Sequence, residues 1–326
     1  MIVAGACVQG TAHLASGQGC QDAFKAVDVG DAAVLAVSDG AGSRDRSALG
    51  AHIAVDAACR LLARGLPEVT AEPEVWTRWV AERGRRVVEE YLRAVAGVLG
   101  GGAGAGAACV MGADASAAGR RAVSTEVSTD TDATSRPARV PDAESRPAGD
   151  RVATGRPAED PDAESRPAAG VEAPAADPGA LAATLTAAVV APPWTAFVSL
   201  GDGFGTLLTR DDRSHLVLPP PTGPASFLSS PGAALRVRTF VVWEPELAGV
   251  VLATDGCAAL ALDHPCVHRL PLEAGPLPAA GFFLGLAATL RENGGDAEPL
   301  RRRLSGPEAG RTGDDLTVLC ALVEGG

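Results

Sequence analysis

LAVSDGAGS, residues 35–43, is the stretch on which the fold turns. An apolar run stops at Asp39 and is followed by Gly40, Ala41 and Gly42. Two readings fit it. One is a buried strand closing into a glycine turn, as in any protein that mixes strands and helices. The other is a stiff strand end that holds Asp39 out to bind something. A single copy does not choose between them.

The pattern returns. VSLGDG (198–203) and VVLATDG (250–256) repeat it, and TGDDLTVLCALV (312–323) sets an acid directly before an apolar run. GCQDAF (19–24) supplies another acid near the start. Each alone is an ordinary turn cap. Neighbouring strands in a sheet can bring such ends together, and several carboxylates at one point repel unless cations sit between them. All-oxygen sites suit hard ions such as Mg²⁺ or Mn²⁺. The adjoining glycines leave room for a backbone carbonyl to approach an ion.

Outward from these motifs, IVAGACVQG, AFKAVDV and AAVLAVSD read as β segments, and residues 46–65 repeat their apolar positions at helical spacing. A second helix over 74–99 carries Trp76, Val80, Val87, Tyr91 and Val95 along one stripe, a pattern expected of core. From 100 to 180 the composition changes to Gly, Ala, Pro, Ser and acidic residues, and PDAESRPA occurs at both 141–148 and 161–168. So few large apolar residues cannot offset an ordering cost of about 1–2 kcal/mol per residue, so this stretch is expected to be a disordered insertion made by tandem duplication. Residues 105–178 are expected to be dispensable. The expected organisation is one domain in two parts, 1–99 and 181–326, interrupted by that insertion. Strands dominate the second part, followed by a helical pair near 278–304. Strict β-α-β alternation is missing, which argues against a doubly wound parallel sheet.

Net charge is −12 with no basic stripe, so neither nucleic acid nor anionic lipid is an expected partner. The seven cysteines form no CxxC pair or zinc spacing and are expected to be reduced. MIVAGACVQGTAHL has no basic leader, and no run reaches the roughly 18 apolar residues of a membrane span, so the expected location is the cytoplasm. Oligomeric state cannot be read from these features.

GTAHLASGQGCQDAF (10–24), AVSDGAGS (36–43), SLGDG (199–203), LATDG (252–256) and RTGDDLTVL (311–319) resemble, in order, the motifs of the metal-dependent protein phosphatases. These are the PPM or type 2C serine/threonine phosphatases, and the likeness is to their divergent bacterial branch. It covers nearly the whole chain outside 100–180. The resemblance implies an α+β fold, a four-layer α-β-β-α sandwich of two mostly antiparallel sheets flanked by helix pairs, with a metal cleft at one end. It implies hydrolysis of phosphoserine and phosphothreonine by a metal-activated water, without a phosphoenzyme. Two Mn²⁺ or Mg²⁺ ions are implied, with a third, weaker ion. Asp39 would bridge two ions, the Gly40 carbonyl would bind the second, and Asp255 with Asp314 would hold the first. Asp22 would act through water, and Asp202 matches the acid that helps bind the third ion. The implied partners are a phosphorylated protein and its cognate kinase.

The sequence departs from the family pattern in places. Ala41 stands where many members have His or Met, Ser43 replaces a glycine, and Gln21 stands where some have Glu. Gly17 lies where an arginine commonly clamps the substrate phosphate. His13, Arg44 and Arg46 are the candidates to replace it, against the plainer readings of a packed histidine and a solvated helix start. His52, His264 and His268 show no ligand spacing. These departures keep open a second function, a phosphatase-fold regulator that binds a phosphoprotein with little or no turnover. An aspartyl-nucleophile phosphatase would need an Asp two positions after Asp39, where Ala41 stands.

Overall fold

The computed structural model describes residues 1–44, 46–100, 122–123 and 177–324. Its strands are β1 (Ile2–Val8), β2 (Ala23–Val29), β3 (Ala32–Ser38), β4 (Ala122–Val123), β5 (Leu185–Ala191), β6 (Trp194–Leu200) and β7 (Phe204–Thr209). They continue with β8 (Ser214–Leu218), β9 (Arg238–Trp243), β10 (Leu247–Ala253), β11 (Leu262–Asp263), β12 (Leu277–Pro278) and β13 (Leu316–Leu322). The helices are α1 (Thr11–Ser16), α2 (Ser47–Leu62), α3 (Pro73–Gly100), α4 (Ala233–Arg236), α5 (Ala258–Ala261), α6 (Ala280–Glu292) and α7 (Glu298–Leu304).

Two sheets carry the fold, in the orders β1-β13-β10-β7-β8 and β4-β2-β3-β5-β6-β9, and every pairing in them is antiparallel. Period-two alternation sorts their side chains into three cores. Along β3, Val34 and Ala36 pack under α2 and α3, whereas Leu35 and Val37 face the other sheet. Along β13, Val318 and Cys320 pack under α6 and α7, whereas Leu319 and Ala321 face inward. Both strands are therefore apolar on both faces, which is why AAVLAVS reads as a continuous run. The result is the four-layer α-β-β-α sandwich.

Trp76 and Tyr91 are fully buried core residues. Trp76 stacks on Trp194 of β6 with ring centroids 5.8 Å apart, and the Tyr91 hydroxyl donates to the Leu181 carbonyl. Residues 178–181 form a 3₁₀ turn in which Asp177 accepts from Gly179 N at 2.8 Å, so the described fold resumes at Asp177, inside the stretch read as insertion. Apart from Gly100, 122–123 and 177–180, that stretch lies outside the described residues. Several short elements are not announced by the sequence, β8 and α1 among them. β8 is a five-residue strand of mixed polarity, and α1 is one short helix with no buried residue, closed by Gly17 at φ 71°. No helix among the described residues is long and apolar enough to cross a membrane.

Candidate metal centre

Antiparallel pairing puts the ends of some strands beside the starts of others. Ser38 at the end of β3 pairs with Ala23 at the start of β2, which brings Asp39 and Asp22 to the same edge. Ala253 at the end of β10 pairs with Val318 near the start of β13, so Asp255 and Asp314 lie together on the other sheet. The turn Gly201-Asp202-Gly203 crosses from β6 in one sheet to β7 in the other at that same end. Five carboxylates thus gather where the two sheets open.

Oxygens of Asp39, Asp202 and Asp255 lie within 4.8 Å of one another. Burial pushes the Asp39 carboxyl far above the ordinary carboxylate value, and the nearby charges of Asp22, Asp255 and Asp314 push it further. Burial also raises Asp22, despite the Thr254 hydroxyl that donates to its Oδ2 at 2.8 Å. Asp255 is pushed up to about 6 by burial and by the charges of Asp202 and Asp314. Asp202 is raised by burial first, and its buried Oδ1 has no hydrogen-bond partner. Crowded, partly desolvated carboxylates with an orphaned oxygen are the arrangement that a hard divalent cation satisfies. The donor set fits Mg²⁺ or Mn²⁺.

Backbone packing holds the acids in place. The Asp39 amide donates to Thr184 Oγ1 at 3.0 Å, and its carbonyl accepts from Thr184 N at 2.8 Å. Gly40 sits against the first turn of α2, where a Cβ would come within 2.7 Å of the Ser47 backbone. Any larger residue would displace the turn that presents Asp39.

The opening and closing loops are joined by Asp315, which is 2% exposed. It accepts from Gly10 N and Gln21 N, each at 2.6 Å. His13 Nδ1 lies 3.0 Å from Asp315 Oδ1 without hydrogen-bond alignment, and Nε2 faces Gly42. His13 is therefore packed between Asp315 and the glycine turn. Gln21 Oε1 accepts from Ser47 Oγ at 3.1 Å, so its amide braces the start of α2. The doublet Asp314-Asp315 signals an acid pair in the sequence; which member faces the cluster and which staples the loops is visible only in the fold.

A cleft of about 580 Å³ leads to the acids, lined by Asp39 and Asp202 and then by Gly42, Arg44, Asp177 and Phe227. Arg44 lines it, half-exposed and 3.8 Å from Asp177. Arg46 is exposed at the N-terminus of α2 and is not part of the lining. A second concavity of about 470 Å³, lined by Lys25, His52, Asp56 and Arg60, contains none of the five acids.

Residues 9–304 match the family model described as Protein phosphatase 2C. Comparison with curated proteins gives no match. Among solved structures, the chain is similar to the Mycobacterium tuberculosis serine/threonine phosphatase PstP/Ppp, with 13% identity, TM-score 0.47, and 99% of this chain and 100% of that chain covered. It is also similar to the S. agalactiae serine/threonine phosphatase, with 11% identity, TM-score 0.47 and 99% of each chain covered. A third is the catalytic domain of the serine threonine protein phosphatase PstP in complex with two manganese ions, with 14% identity, TM-score 0.47, and 99% and 98% covered. The family match spans four of the five acids, one whole sheet and the β10, β7 and β8 strands of the other, and on it the chain belongs to the protein phosphatase 2C family.

Proposed function

We propose that the protein is a metal-dependent phosphatase that removes phosphate from phosphoserine and phosphothreonine in proteins, opposing a cognate kinase as a cytoplasmic signalling enzyme. The observation that carries this reading is the approach of Asp39, Asp202 and Asp255 to within 4.8 Å of one another. In this reading Asp39, Asp255 and Asp314 hold two Mn²⁺ or Mg²⁺ ions with the Gly40 carbonyl. Asp22 braces the site through water, and Asp202 serves a weaker third ion. Such ions, when bound, supply an activated water and neutralise charge on the phosphoryl oxygens.

The chain's own residues do the rest. Asp315 holds the opening loop so that Asp22 stays against Asp39, and Thr254 orients Asp22 by donating to it. The cleft admits a phosphorylated side chain, and Arg44 offers it a guanidinium at the rim. Of the two other candidates, His13 is packed against Asp315 and Arg46 lies off the cleft lining, so the reading gives the contact to Arg44.

One observation favours the second reading, a binding regulator without turnover. Gly17 caps α1 at φ 71° with open space around it, so no side chain reaches inward from the position of the family's arginine. Phosphate release from phosphothreonine and phosphotyrosine peptides, measured with Mn²⁺ and after EDTA, separates the two. The proposal expects Mn²⁺-dependent release that favours phosphothreonine. Folded, metal-loaded protein that binds the peptide without releasing phosphate would establish the regulator instead.

A further inference from the structure

Cys7 and Cys20 are 13 positions apart in the chain, yet their sulfurs lie 3.1 Å from each other. Cys7 is on β1, and Cys20 ends the loop that carries α1 and precedes Gln21 and Asp22. Both thiols are partly exposed, and residues 14–19 beside them are exposed throughout. The other described cysteines differ: Cys59, Cys257 and Cys320 are buried, and Cys266 is exposed on a separate 3₁₀ turn. The sequence gives no reason to pair Cys7 with Cys20, since their spacing matches no redox or metal motif.

We propose that Cys7 and Cys20 are a reversible oxidation site that closes to an intramolecular disulfide. The sulfurs, 3.1 Å apart, need to approach by about 1 Å to reach bonding distance. The loop between them is anchored where Gly10 donates to Asp315, Ala12 to the Gly313 carbonyl and Thr11 Oγ1 to the Gly310 carbonyl, and where His13 packs against Asp315, whereas residues 14–19 are exposed. Closing the bond would tie that loop to β1 immediately before Asp22.

The oxidant is a peroxide. One sulfur attacks a peroxide oxygen, the O–O bond breaks, and a sulfenic acid forms with release of one water. The second sulfur displaces the sulfenic oxygen, the S–S bond forms, and a second water leaves. Together the two sulfurs lose two electrons and the peroxide gains them. A dithiol reductant reverses the change. This site is independent of the phosphatase reading, and its test uses no turnover.

The test uses the full chain exposed to hydrogen peroxide, then N-ethylmaleimide, then trypsin without reduction. The first Lys or Arg is Lys25, so peptide 1–25 contains Cys7 and Cys20 and no other cysteine. Exposed Cys266 reports that oxidant has reached the protein. The expected result is peptide 1–25 lighter by two hydrogens and carrying no label, with both labels restored by dithiothreitol. Cys7→Ser and Cys20→Ser should each abolish that species. Two labels on peptide 1–25 after Cys266 has reacted, or linkage of Cys7 or Cys20 to any other cysteine, would overturn the proposal.

Discussion

Asp315 Oδ1 accepts the backbone N–H of Gly10 at 2.6 Å, joining two residues 305 positions apart. Its other oxygen accepts Gln21 N at the same distance. One buried carboxylate therefore fixes both ends of the loop that delivers Asp22, while its neighbour Asp314 stays with the acid cluster. Structural and chemical duties are divided between adjacent residues.

Asp315→Ala should accordingly destabilise the protein by about 3 kcal/mol, because two buried amides lose a charged acceptor. Urea denaturation measures this directly. The same variant should bind Mn²⁺ more weakly, since Asp22 is no longer held against Asp39. An unchanged midpoint would show that the loop is held by other contacts.

The raised carboxyls set the pH dependence of the metal-free protein. Asp255 is pushed from the ordinary carboxylate range to about 6, with Asp22 and Asp39 raised as well. Between about pH 4 and 6 the folded state holds protons on these groups that the unfolded chain has released. Their contribution to stability is fully present below the ordinary value and is lost as pH rises through the folded one. Melting in EDTA should thus fall between pH 4.5 and 7, roughly. Stabilisation by Mn²⁺ should grow over the same interval, because binding requires the ionised carboxylates.

Gly256 is the tightest point of the centre. A Cβ there would stand 2.0 Å from the Asp315 carbonyl, and the next contacts include Asp314 Cβ at 3.4 Å. Gly256→Ala must push the β10 and β13 ends apart, at a cost of about 2 kcal/mol or more. Mn²⁺ titration should show weakened binding, since Asp255 and Asp314 sit on either side of that contact.

The two arginines make a contrast. Arg44 lines the cleft and Arg46 does not. Arg44→Ala should raise the KM for a phosphothreonine peptide about fivefold with kcat little changed, corresponding to ~1 kcal/mol for an exposed charge contact. Arg46→Ala should change neither constant. Steady-state kinetics on both variants decides the assignment.

Much of this was legible in the sequence because the strands are nearly pure apolar runs ending in acids. AAVLAVS before Asp39 and LAGVVLA before the Thr254-Asp255 turn announce doubly buried strands, and their antiparallel pairing then gathers the acids. What was not legible depends on contacts between distant segments. The doublet Asp314-Asp315 does not reveal that the second acid turns inward to Gly10 and Gln21. Composition also set the end of the insertion late. Asp177 and Pro178 are as polar and turn-prone as the stretch before them, yet both line the cleft, and Leu181 is buried beneath α2 and α3. Cys7 and Cys20 meet only because β1 ends, and β2 begins, at the same end of the sandwich.

The most direct test of the account is hydrolysis of a phosphothreonine peptide by wild-type protein and by Asp39→Asn, both at saturating Mn²⁺ and both shown to be folded. Asp39 stands at the centre of the acid cluster, so the account predicts that the variant loses a factor of about 10³ in kcat/KM, the scale of a lost metal contribution of ~4 kcal/mol. Equal turnover by the two proteins would contradict it.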